Sequence, residues 1–117
     1  MAIAILVVIR DDPRKSHRAV EGLRIALGLG TGENPLTVVL LDEAPRLLTE
    51  DPDDLEDMID GDILTKHLPV LKELGVPFVV PEGTTKRMPL DSGFTVREAS
   101  MHNIASLTTE TDRVLVF

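Results

Sequence analysis

The sequence contains no cysteine, no tryptophan and no tyrosine, and only three phenylalanines among 117 residues. Without cysteine there is no disulfide framework, no thiolate ligand for a metal and no thiol nucleophile. That absence does not by itself fix a compartment. Scarce aromatics leave a core of aliphatic side chains, which the hydrophobic fraction of 43% supplies. Cations are short as well: 12 Lys and Arg against 20 Asp and Glu give a net charge of -8. Nucleic-acid affinity comes mainly from Lys and Arg replacing phosphate counterions, so this balance argues against a nucleic-acid partner.

Membrane-length apolar runs are also missing. The run Ala2 to Ile9 is too short to span a bilayer, has no basic residue before it and leads into Arg10-Asp11-Asp12 instead of a small-residue cleavage site. It reads as a buried strand, and with no transmembrane or export signal elsewhere the expectation is a cytoplasmic protein of one domain.

Ala2 to Ile9 is continuously apolar and rich in branched side chains, as suits a central strand covered on both faces. Asp12-Pro13 can cap and start the following helix. Val20, Leu23 and Leu27 recur along it at helical spacing, and Gly28, Gly30 and Gly32 end it. Leu36 to Leu41 predicts a second strand, Ala44 to Leu48 a short helix, and Glu50 to Asp62 an acidic segment. From Ile63 to Leu74 the apolar residues keep helical spacing, but Pro69 predicts a kink or two short helices. Val76 to Val80 is the third strand, Pro81 to Ser92 a polar loop, Phe94 to Glu98 a fourth strand, Ser100 to Thr111 a helix and Arg113 to Phe117 a last strand.

Strands alternating with helices predict a three-layer α/β/α sandwich around a mostly parallel five-stranded sheet. In such folds ligands gather beyond the carboxyl ends of the strands. That rule selects Arg10 to Asp12, Asp42 with Glu43, Pro81 to Arg87, and Ser100 to Asn103.

Most motifs with chemical associations have plainer readings. Gly28-Leu-Gly-Thr-Gly32 closes a helix and leads into a strand, the reverse of the context a dinucleotide fingerprint needs. The acidic run Glu50, Asp51, Asp53, Asp54, Glu56, Asp57, Asp60 and Asp62 lacks the alternate acids and closing glutamate of a calcium loop, which favours a solvated insertion. His17, His67 and His102 share no metal-ligand spacing. Only His102 falls on the edge where sites form, in reach of proton-transfer roles. Ser16, Ser92, Ser100 and Ser106 have no nucleophile-elbow setting, and Ser16 and Ser100 suit helix starts. No metal and no cofactor is expected. Pro81, Glu82, Gly83, Thr84, Thr85, Lys86 and Arg87 combine a flexible glycine, two hydroxyls and two cations after a buried strand, which fits an anion or an acidic tail. A plain crossover loop fits that composition equally well.

Three features of the last third carry a family resemblance. Gly75-Val-Pro-Phe-Val-Val-Pro81, Ser92-Gly-Phe94 and the ending Thr111-Asp-Arg-Val-Leu-Val-Phe117 resemble, in order and spacing, the third strand, fourth-strand entry and closing strand of the DsrE/DsrF-like sulfur-relay family, TusD-type subunits included. That resemblance implies a flavodoxin-like or Rossmann-like α/β subunit in the cytoplasm, assembled into homo- or hetro-oligomers with DsrE-like subunits and working near sulfur-carrier proteins. It also places Pro81 where active members have their reactive cysteine. A proline has neither a nucleophile nor a backbone N–H, so the family's persulfide chemistry does not carry over and no catalytic residue is expected.

The first expectation is therefore a non-catalytic DsrE-like protein, an accessory or regulatory subunit. The second is a small-anion or small-ligand binder using the Pro81 to Arg87 loop with Arg10 and His102. An enzyme using His102 with nearby carboxylates comes last.

Overall fold

A computed structural model describes residues 3–51, 54 and 56–117. Its five strands are β1 (Ile5–Ile9), β2 (Leu36–Leu40), β3 (Pro77–Pro81), β4 (Thr95–Ala99) and β5 (Arg113–Val116). All neighbours in the sheet run parallel, in the order β4-β3-β2-β1-β5. The helices are α1 (His17–Gly30), α2 (Gly61–Leu74), the single turn α3 (Thr84–Arg87) and α4 (Met101–Glu110), with a 3₁₀ helix at Ala44–Leu48.

This order explains the layers. From β1 through β2 and β3 to β4 the chain steps in one direction, and right-handed crossovers then put α1 and α2 on the same face. The step from β4 back past β1 to β5 reverses direction, so α4 falls on the opposite face. The larger core accordingly joins Val7, Ile9, Val38, Leu40 and Phe78 to Leu23 of α1 and to Leu64 and Leu71 of α2. The smaller one joins Leu6, Val8, Val39 and Val79 to Ile104 of α4. β1 is buried along its whole length because it lies inside the sheet with both faces covered. β5, at the edge, is exposed throughout. Few aromatics are available, and two of them meet: the Phe78 and Phe94 rings pack edge to face at 5.7 Å.

The strand and helix sequence matches expectation, with four differences. First, α1 starts at His17, not at Asp12-Pro13, and runs through Gly28 to Gly30, so that those two glycines lie inside the helix. Asp12 instead organises a preceding turn, its carbonyl accepting from the Lys15 and Ser16 N–H groups, and Ser16 caps the helix by accepting from Arg18 N. Second, Pro69 lies inside one continuous helix and does not divide it. The carbonyl it deprives of a donor belongs to Thr65, which is exposed and open to water. Third, the acidic segment is tied to the body. Met58 enters the larger core, Ile59 N donates to Pro13 O at 2.9 Å and Thr49 Oγ1 donates to Asp54 at 2.9 Å. Asp53 of that run, like Ala2 of the first predicted strand, lies outside the described residues. Fourth, the predicted polar loop after β3 contains α3 and is fastened to the end of the 3₁₀ helix. Glu50 N donates to Pro89 O, Asp91 N donates to Leu48 O, and Met88 is buried. Among the described residues no helix is long and apolar enough to cross a membrane.

Candidate site at the carboxyl edge of the sheet

The end of β3 is built around Pro81. It pairs in register with Ala99 of β4, and Glu82 N donates to the Ala99 carbonyl at 3.1 Å. Gly83 then takes φ +88, a conformation that a side chain would resist, and this turns the chain sharply into α3. Thr84 is only 2% exposed, and its hydroxyl donates to the Pro81 carbonyl at 2.7 Å. A buried hydroxyl needs such a partner, so Thr84 braces the turn instead of facing solvent.

The other groups of this loop are also engaged. The Thr85 N–H and hydroxyl both donate to one oxygen of Glu98, each at 3.0 Å. The backbone donor foremost, then the hydroxyl, hold the Glu98 carboxyl below its ordinary range. Arg87 reaches back to the end of β2, donating to the Asp42 carbonyl at 2.9 Å and to Glu43 at 3.2 Å. Glu43 also accepts from Arg46 Nε at 2.6 Å and lies 3.8 Å from Arg14. The Arg46 hydrogen bond, aided by the charge of Arg87, lowers the Glu43 pKa. Beside them Arg14 donates to both oxygens of Asp12, whose pKa is lowered chiefly by that side-chain bond. Among the described residues Lys86 forms no salt bridge.

Arg10 and His102 are on the same edge but apart. Arg10 follows β1 and His102 opens α4 after β4, so three strand spacings of about 4.8 Å, roughly 14 Å, lie between those strand ends. His102 is exposed, and its carbonyl accepts from Ser106. Ser100 caps α4, accepting from Asn103 N. Arg10 is also exposed and borders a crevice of about 190 Å³ with Asp11, Arg18, Asp42, Val116 and Phe117. The strand-end rule thus brings Pro81 to Arg87 into one turn and joins it to Asp42 and Glu43; Asp42 also borders the crevice of Arg10, while His102 stands apart.

Glu98 and Phe117 have no local signal in the sequence as site residues; each acquires its place only through strand pairing. A larger open hollow of about 790 Å³ lies beside the acidic segment, bordered by Glu56, Asp60 and Asp62 with Met58 and Ile63. Among the described residues, no group of three or more His, Asp or Glu side chains could hold a metal ion.

Taken by its chemistry, the end of β3 carries no thiol; its hydroxyls are those of Thr84 and Thr85 and its amine is that of Lys86. Its carbonyl and hydroxyl groups are paired internally, and one of its two cations is neutralised by Glu43. Comparison with known proteins agrees with the architecture. No curated protein matches the chain, whereas several solved structures do. One of them, the crystal structure of the ychN protein from E. coli, superposes with a TM-score of 0.74 at 24% identity over 100% of both chains, a likeness of fold. The sequence profile of the DsrE/DsrF-like family matches residues 4–117, and on that match this chain belongs to the DsrE/DsrF-like family.

Proposed function

We propose that this chain is a non-catalytic DsrE-like subunit, an accessory or regulatory component of cytoplasmic sulfur-relay or persulfide metabolism that acts through contact and assembly. One observation carries the reading: Pro81 ends β3, where the family resemblance expects a reactive cysteine, and no cysteine stands anywhere else in the sequence. Carrying sulfane sulfur requires a thiolate to attack and hold it, and thioethers, hydroxyls and amines do not replace that group.

Assembly has its own support. β5 is an open edge, and Val114, Leu115 and Val116 are exposed along it. On the face covered by α4, Met101 is 59% exposed. Exposed apolar side chains along an unpaired sheet edge suit a contact region. The partner is then another DsrE-like subunit, the same chain or a related one, with a sulfur-carrier protein as a further candidate. Light scattering on the purified chain tests the reading: a mass above that of the monomer is expected, and a clean monomer that also fails to join DsrE-like subunits would overturn it.

A further inference from the structure

A crevice lies beyond the carboxyl ends of β2, β1 and β5, which Asp42, Arg10 and Phe117 respectively follow. Ligands of open parallel sheets gather beyond this edge.

Its charges are not equally committed. Asp11 accepts from the Ser16 hydroxyl at 2.9 Å and lies 3.6 Å from Arg18, which in turn points at the Val116 carbonyl. These groups form a braced wall. The Arg10 guanidinium and the Asp42 carboxylate, by contrast, have no hydrogen-bond or ion-pair partner among the described residues, and they do not pair with each other. Asp42 has φ +55, an uncommon conformation for a residue with a side chain, and its carbonyl is clamped by Arg87. Val116 and Phe117 supply an apolar side.

We propose that this crevice binds a small zwitterion, namely a free α-amino acid, with its carboxylate on Arg10 and its ammonium on Asp42. A simple anion entering here meets Arg10 but also Asp42, and a simple cation meets the reverse; a molecule with both charges satisfies both. The volume of about 190 Å³ is roughly six times the ~30 Å³ share of a water molecule in the liquid. That suits an amino acid with a small side chain placed against Val116. The proposal stands apart from the accessory-subunit reading and needs no assembly.

The test is a titration of the isotope-labelled full chain with L-alanine, followed by amide NMR, with acetate and methylammonium as single-charge controls. Saturable shifts centred on Arg10, Asp11, Asp42 and Val116 are expected, with weak affinity of about 1 mM. Neither control should reproduce them. Arg10→Gln and Asp42→Asn should each weaken binding about tenfold while leaving the rest of the spectrum intact, because Arg10 is exposed and asparagine tolerates positive φ. No shifts with alanine, equal shifts with acetate or methylammonium, or undiminished binding by both variants would overturn the assignment.

Discussion

The α-carbon of Gly22, midway along α1, faces the ring of Phe117: a β-carbon built there would lie 2.9 Å from the Phe117 Cγ. The contact joins α1 to the residue after β5, whose N–H donates to Val8 O and whose carbonyl accepts from Arg10 N. Since Cγ lies close to the backbone of a residue pinned on both sides, it has little room to retreat.

Gly22→Ala therefore brings two opposed effects. Helix propensity favours alanine by about 1 kcal/mol, whereas overpacking costs about 1–3 kcal/mol. We expect a net destabilisation of about 1 kcal/mol by urea unfolding. In a Phe117→Ala background the clash disappears, and the same substitution should stabilise. A double-mutant cycle showing no coupling would contradict the contact.

Acid should weaken the fold in a defined window. Asp12, Glu43 and Asp91 have lowered pKa values, through Arg14, Arg46 and Lys72 respectively; the Lys72 ammonium lies 2.5 Å from Asp91 and over the Phe94 ring. A carboxyl with a lower pKa folded than unfolded binds fewer protons when folded. Its stabilisation is therefore complete above the ordinary values of 3.8 and 4.5 and is lost as pH falls through the lowered ones. The urea midpoint should hold near pH 5 and fall steadily below about pH 4. Asp91→Asn should flatten that fall. A midpoint that rises towards pH 3 would contradict these pairings.

Pro69 sits mid-helix on an exposed face and supports no packing that alanine would lose. Restoring the N–H donor to the Thr65 carbonyl should stabilise the protein, by about 1–3 kcal/mol, less than the full helix-interior penalty because proline also restricts the unfolded chain. Thermal and urea unfolding of Pro69→Ala check this, and a loss of stability would contradict it.

How far the fold could be read in advance follows from the range of each interaction. Ile5 to Ile9 and Leu36 to Leu40 announce themselves as buried strands because both faces are covered, leaving no polar alternation to misplace. Strand order depends on which way each crossover steps, and no single segment records that. At Pro69 the division into two short helices gave way to the exposure of Thr65, whose carbonyl loses a donor, and to the burial of Leu64, Leu68 and Leu71. The carboxyl edge was legible as a place, since the rule rests on topology alone. Its internal wiring was not: Arg87 meets Asp42 across 45 residues and Thr85 meets Glu98 across 13. These pairings engage Thr85 and Arg87 of the Pro81 to Arg87 loop within the fold.

The account turns on Pro81, and intact-mass spectrometry after incubation with a persulfide donor tests it most directly. The natural chain should gain no sulfur, while Pro81→Cys, measured alongside, should take up one sulfane sulfur at the end of β3. A sulfur adduct on the natural chain would contradict the account.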